Sequence, residues 1–252
     1  MNLYLPNNFY SRLLAESLSS EKKIKIYYFP SAILSSKLNE DNNGVALIPS
    51  LDLLNNKEFF VSSKFGVSFE GSLSNSYFYF TKKGDINNLS LIGDISSTEV
   101  ILSKIIFKEE YELDVNIEIS KDQKIENKNK LIVGDENFNS VNLNFALSLT
   151  EKITDIFDYP LPFVNYILAS NNKELLKTFN IKAEEIQNRI IKLIDKSETI
   201  KSINTNSKKF ILDNVPSLIY NYDEQDKEGL VELIKLPYFH AIVKDIIEIK
   251  FE

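Results

Sequence analysis

Two short strand-like segments in the middle of the chain constrain its fold more than any other feature. Residues 75–82 (NSYFYFTK) and 161–170 (LPFVNYILAS) are rich in the aromatic and branched side chains that strands favour. Between them the pattern indicates strand, helix, strand and helix, and both ends of the chain together supply a second stretch of this kind. We therefore predict two α/β lobes that the chain crosses between twice, with a ligand cleft between them.

The predicted lobe 1 contains residues 1–80 and 166–252, and the predicted lobe 2 contains residues 81–165. Each lobe is expected to hold a mostly parallel sheet flanked by helices, because alternating strands and helices require crossovers that cover the sheet. The two crossover strands would act as the hinge. The predicted strands are 2–6, 23–28, 45–48, 89–94, 111–119 and 131–134, and the predicted helices are 8–18, 31–38, 100–107, 149–159, 173–179, 183–196 and 225–236.

Charge and composition exclude several classes of function. The net charge is −7, which disfavours binding to nucleic acid or to an anionic membrane. The chain has no Cys, so disulfides and thiolate chemistry are excluded. No apolar stretch approaches the roughly 18 residues of a membrane span, and the N-terminal residues lack the pattern of a secretory signal. We expect a cytoplasmic protein whose partner is a small molecule.

Several motifs occur in a fixed order along the chain. They are VALIPS at 45–50, GVSF at 66–69, the segment 76–82, DISST at 94–98, IVGD at 132–135 and LPFV at 161–164. This order resembles the menaquinone-biosynthesis enzymes of the futalosine pathway, in particular chorismate dehydratase, and residues 222–230 and 247–251 resemble the end of that family. The resemblance implies a periplasmic-binding-protein type II fold with a ligand cleft between the lobes.

The resemblance also implies a reaction and a set of site residues. Chorismate would lose water to give 3-[(1-carboxyvinyl)oxy]benzoate, without a metal or cofactor. Orientation of a bound substrate can contribute up to roughly 7–11 kcal/mol, so a polar pocket is sufficient for this chemistry. Asn8 and Ser76 are the predicted catalytic residues. The predicted substrate-binding residues are Arg12, Ser50, Ser96, Ser97, Thr98 and Asp135.

These residue types suit a carboxylate ligand. Ser96, Ser97 and Thr98 lie at a predicted helix N-terminus, where N–H groups and hydroxyls bind anions. Ser50 ends a predicted parallel strand, the edge at which open α/β sheets bind ligands. Arg12 carries a planar guanidinium that matches a carboxylate. Helix capping by Asn8 and by Ser96 to Thr98 is the alternative interpretation of those positions.

Departures from the family leave other functions open. Glu99 stands where the family has Ser, Gly44 replaces an Asp, and residues 159–160 replace Thr-Gly. A second enzyme of the family uses a His in its inner lobe, but the only His here is His240 near the C-terminus. The alternatives are a diverged, non-catalytic protein that binds a small anion or solute on the same fold, and an interaction protein whose cleft is filled by its own side chains.

Overall fold

The computed structural model describes residues 1–82, 84–121, 128–139, 143, 146–157 and 160–252. Within these residues the chain forms two β-sheets, one in each lobe. The two-lobe α/β architecture predicted from the sequence is therefore confirmed. The predicted helix 149–159 and the departure at residues 159–160 lie partly outside the described residues.

Lobe 1 begins with strands and helices in alternation. Its first elements are β1 (Asn2–Pro6), α1 (Phe9–Ser17), β2 (Lys25–Phe29), α2 (Leu34–Asn39), β3 (Gly44–Pro49) and β4 (Phe60–Phe69). β1 pairs in parallel with both β2 and β3. Every residue of β3 is buried, as expected for an apolar strand inside a covered sheet.

Lobe 2 also alternates strands and helices. Its elements are β5 (Ser76–Tyr79), β6 (Asn88–Gly93), α3 (Ser97–Tyr111), β7 (Asn116–Ile119), β8 (Asn129–Val133), α4 (Glu136–Asn139), β9 (Leu147–Ser148) and α5 (Leu149–Thr154). β6 is parallel to β7 and β8, whereas β5 is antiparallel to its neighbours β8 and β9.

The chain then returns to lobe 1. The returning elements are β10 (Phe163–Ser170), α6 (Lys173–Leu193), α7 (Glu198–Lys201), α8 (Thr205–Asp213), β11 (Leu218–Asn221), α9 (Glu224–Phe239) and β12 (Lys250–Phe251). β10 lies between β3 and β4 and is antiparallel to both. β11 and β12 complete the sheet on β4.

The two sheets share one strand order. The first five strands of lobe 1 have the order β2-β1-β3-β10-β4, with β11 beyond β4, and lobe 2 has the order β7-β6-β8-β5-β9. In each lobe, the fourth position holds the strand by which the chain has just arrived from the other lobe. The chain therefore passes from one lobe to the other before Ser76 and again before Phe163. The sequence prediction put these boundaries after residues 80 and 165. The predicted boundaries fall too late because β5 and β10 each pair over their whole length with the sheet of the lobe that the chain is entering.

Three predicted elements have different bounds in the structure. α3 continues through Tyr111, which was assigned to a strand, and ends where Glu112 takes a left-handed conformation with φ 56°. The two helices predicted at 173–179 and 183–196 form the single helix α6, whose buried apolar side chains recur at helical spacing. α9 continues through Pro237 to Phe239, whereas the predicted helix ended at Leu236.

The N-terminus of α9 contains a buried carboxylate. Asp223 caps the helix, and the side chain of Asp226 accepts a hydrogen bond from the Asp223 N–H at 2.9 Å. The hydroxyl of Ser68, on β4, also donates to Asp226. Burial raises the pKa of Asp226 from 3.8 to about 6, because the charged form loses its hydration.

Candidate ligand site between the lobes

The cleft is formed where helix N-termini of both lobes meet the ends of their sheets. Asn8 caps α1 of lobe 1 by accepting from the Ser11 N–H at 2.9 Å, and Ser96 caps α3 of lobe 2. Both side chains are buried, so the lobes are closed over them. The capping interpretation of Asn8 and Ser96 is confirmed. The amide nitrogen of Asn8 also bonds to a tyrosine hydroxyl in the cleft, that of Tyr166.

A buried tyrosine hydroxyl is the centre of the cleft's hydrogen-bond network. The Tyr166 hydroxyl lies 3.3 Å from Nδ2 of Asn8, 3.2 Å from Nδ2 of Asn75 and 3.1 Å from Oγ of Ser31. Tyr166 belongs to β10, and Asn75 immediately precedes β5. The network therefore joins the two crossing segments of the chain to the first helix.

A glycine on the neighbouring strand keeps Tyr166 in place. The Tyr222 hydroxyl donates to the Tyr166 carbonyl at 2.7 Å, passing over Gly66 of β4. A Cβ atom at Gly66 would lie 1.9 Å from that hydroxyl oxygen and 2.6 Å from the carbonyl oxygen of Tyr166. Only glycine permits this approach, so Gly66 contributes to the site without touching the cleft.

Three carboxylates join the lobes by hydrogen bonds or an ion pair. Asp94 of lobe 2 accepts from the N–H and the hydroxyl of Ser31, at 2.8 and 2.6 Å. Asp135 of lobe 2 accepts from the Phe9 N–H at 2.7 Å and lies 2.5 Å from a guanidinium nitrogen of Arg12. The third carboxylate, Asp52 of lobe 1, accepts from the Ser97 hydroxyl at 2.6 Å and from a second serine of its own lobe.

The N-terminus of α3, the predicted carboxylate site, is occupied by the protein's own groups. Glu99 accepts from the N–H and the hydroxyl of Ser96, at 2.9 and 2.6 Å. The Ser97 hydroxyl is bound to Asp52, and the Thr98 hydroxyl accepts from a lobe 1 backbone N–H at 3.3 Å. In the closed structure these donors are therefore used by protein carboxylates and by contacts between the lobes.

The predicted catalytic serine lies beside the same carboxylate. Ser76 opens β5, is fully buried, and donates to Glu99 at 3.4 Å. Burial raises the pKa of Glu99, and the nearby Asp94 carboxylate raises it further. Ser50 differs from these residues: its hydroxyl donates to the Val164 carbonyl at 2.6 Å and ties the end of β3 to β10.

The electrostatic character of the cleft is acidic. Burial raises the pKa values of Asp52 and Asp94, in each case against the lowering effect of serine hydrogen bonds. Among the described residues of this region, the basic side chain of Arg12 forms an ion pair with Asp135. A dianionic ligand would therefore meet uncompensated negative charge.

Sequence reasoning missed five cleft residues. Ser31, Asp52 and Asp94 follow strands of the parallel sheets within a few residues, so the strand-end rule that selected Ser50 could have found them. Asn75 and Tyr166 carried no such signal. Tyr166 lies inside a strand, and its three side-chain partners are 91 to 158 residues away in sequence.

His240 contributes to a contact between the lobes at some distance from the cleft. It ends α9, and its Nε2 atom lies 2.7 Å from a carboxylate oxygen of Glu109 on α3. A groove of about 360 Å³ adjoins this contact. Among the described residues, no helix is long and apolar enough to span a membrane, and no cluster of side chains suits a metal ion.

No family model and no curated protein matches the chain. Solved structures do match it. A crystal structure of a protein from Archaeoglobus fulgidus has a TM-score of 0.70 and 12% sequence identity, covering 96% of this chain and 98% of that one. The ligand-binding component of an ABC-type import system from Staphylococcus aureus, solved with zinc bound, has a TM-score of 0.54 and 12% identity, covering 99% and 96%. At this identity the similarity establishes the fold, which is the two-lobe fold of type II periplasmic binding proteins.

Proposed function

We propose that this chain binds a small polar molecule between its lobes and is a diverged relative of the dehydratases it resembles. The observation that carries the proposal is the position of Glu99. This carboxylate accepts both donors of Ser96 at the helix N-terminus where the resemblance puts a substrate carboxylate. A buried carboxylate at this place disfavours a second one, since like charges at short range repel strongly in a poorly hydrated site.

Binding requires the lobes to separate and close again. The polar residues of the cleft are buried, and the contacts of Asp94, Asp135 and Asp52 hold the lobes together. Each of these contacts consists of a few hydrogen bonds to a carboxylate, with an ion pair at Asp135, and a hydrogen bond to a charged group typically contributes about 1.5–3 kcal/mol net. A ligand that supplies replacement partners can therefore shift the balance between open and closed lobes.

A thermal-shift panel tests this proposal. A cleft ligand present at 100 times its dissociation constant should stabilise the protein by about 2.7 kcal/mol. The panel should include chorismate, neutral polyols and amino compounds, with calorimetry to confirm each hit. Stabilisation by a neutral or cationic compound, but not by chorismate, is expected. If no compound of any class stabilises the protein, the proposal is wrong and the filled-cleft interpretation takes its place.

Chorismate dehydration is the second candidate function. Its specific support is the proximity of Ser76 to Glu99, a carboxyl group whose pKa is raised by burial. Protonated Glu99 would donate its proton to the hydroxyl, which leaves as water, and the resulting carboxylate would accept the proton from the adjacent ring carbon, while Asn8 and Ser76 orient the ring. Incubation of the purified protein with chorismate should then give an aromatic product by absorbance. Turnover would replace the binding proposal, and absence of turnover would remove this candidate.

A further inference from the structure

One buried acceptor in the cleft lacks a partner in the protein. Oδ1 of Asn75 is shielded from solvent and forms no hydrogen bond, although the residue is 1% exposed and its Nδ2 atom bonds to Tyr166. An unsatisfied buried polar atom costs about 1–3 kcal/mol. Most native proteins pair such atoms, so an orphan at a candidate site calls for an explanation.

The orientation of the Asn75 amide follows from its neighbours. The Ser31 hydroxyl donates to Asp94 at 2.6 Å, so the oxygen of Ser31 is free to accept the single proton of the Tyr166 hydroxyl. The Tyr166 oxygen must then accept from its other two partners. Asn8 presents its Nδ2 atom because its Oδ1 caps α1. Asn75 must likewise present its NH₂ group, which leaves the carbonyl oxygen as the unpaired atom.

The negative charges near Asn75 Oδ1 also favour a ligand group that donates hydrogen bonds. The pKa of Tyr166 is raised by burial and by the negative charges of Glu99 and Asp94, so both carboxylates lie within electrostatic range of its hydroxyl. The Asp135 carboxylate also raises the pKa of Asp94, and Arg12 is bound to Asp135. Hydrogen bonds support this placement, because Ser31 bonds to both Asp94 and Tyr166, and Ser76, the residue after Asn75, bonds to Glu99. An unpaired acceptor with two carboxylates in its neighbourhood favours a ligand that donates hydrogen bonds and carries positive charge.

We infer that the cleft binds a small molecule bearing a protonated amine, with the ammonium group directed to Asn75, Glu99 and Asp94. This inference rests on the proposed function, since it specifies the ligand class of the same cleft. An ammonium group has three N–H donors and no acceptor, which matches an orphan carbonyl oxygen and two carboxylates. Charge-assisted hydrogen bonds of this kind are about twice as strong as neutral ones.

Matched compounds that differ in one terminal group test the inference on the wild-type protein. Calorimetry with 4-aminobutan-1-ol, butane-1,4-diol and 4-hydroxybutanoate compares an ammonium, a hydroxyl and a carboxylate on the same chain length. We expect the amine to bind at least tenfold more tightly than the diol and the carboxylate to bind most weakly. Equal or tighter binding of the diol or the carboxylate would overturn the inference while leaving the proposed function intact.

Variants then assign the preference to this site. Glu99→Gln and Asn75→Ala should each lose most of the amine's advantage over the diol, whereas the surface variant Glu185→Gln should keep it. Glu185 lies on α6 and pairs with Arg189, away from the cleft. An unchanged preference in both cleft variants would overturn the assignment. If none of the three compounds binds and the wider thermal-shift panel is also negative, the proposed function fails as well.

Discussion

Replacing Asp226 by Asn should make the protein more stable above pH 6 and change its stability much less near pH 4. Asp226 is buried at the start of α9, and its pKa is raised from 3.8 to about 6 by loss of hydration. The folded protein therefore binds more protons than the unfolded chain between these two pH values. Stability consequently falls as pH rises through this window, and the full penalty is present above pH 6.

The size of the penalty follows from the difference between the two pKa values. Each pKa unit corresponds to 1.36 kcal/mol, so a shift from 3.8 to about 6 corresponds to about 3 kcal/mol. Asn keeps the shape and both hydrogen bonds of Asp226, because its oxygen can accept from the Asp223 N–H and its nitrogen can donate to Ser68. The variant carries no charge, so it lacks the penalty at every pH.

Urea denaturation of wild type and Asp226→Asn at pH 4, 5, 6, 7 and 8 measures this effect. The other carboxylates contribute equally to both proteins, so the difference in unfolding free energy isolates the group. We expect that difference to grow by roughly 2–3 kcal/mol in favour of the variant between pH 4 and pH 8, because part of the effect is already present at pH 4. The exposed Asp213→Asn provides the control. A difference that stays constant with pH would refute the reasoning from burial.

Three further predictions concern the cleft and its supports. Glu99→Ser should restore free donors at the start of α3 and raise the affinity for chorismate, measured by calorimetry; an unchanged affinity would count against Glu99 as the block. Gly66→Ala should destabilise the protein by about 1–3 kcal/mol or more in urea denaturation, because its Cβ would overlap the Tyr222 hydroxyl. Arg12→Ala should remove the ion pair with Asp135 and shift the lobes toward an open form, seen as a larger radius of gyration in small-angle X-ray scattering. A scattering curve identical to wild type would show that the pair does not control closure.

The lobes were predictable because they follow from local patterns. Strands 2–6, 45–48 and 131–134 and the helix after Asn8 were found from apolar periodicity and a capping residue, and each exists close to its predicted bounds. The bounds of α3 and α6 were less predictable, since a helix can continue through a residue such as Tyr111 that also suits a strand.

The candidate site was only partly predictable. Residues at strand ends or helix starts, such as Asn8 and Ser96, can be selected from sequence because the fold class fixes what lies at those places. The pairing of Glu99 with Ser96 was not predicted, although a Ser followed three residues later by Glu is the pattern of a capping box. The role of Tyr166 could not be predicted, because it depends on contacts between segments far apart in the chain. Burial and hydrogen-bond partners of this kind emerge only once the sheets are assembled.

Because β10 lies between β3 and β4, the two sheets cannot form at the same stage of synthesis. β4 pairs with β10, β11 and β12, which all follow residue 162, so among the described strands it has no sheet partner until about two thirds of the chain has been synthesised. Every strand of lobe 2 is already present by residue 148. During synthesis, the inner lobe can therefore complete its sheet while the outer one still holds an unpaired, apolar strand, which is the segment most in need of protection by a chaperone.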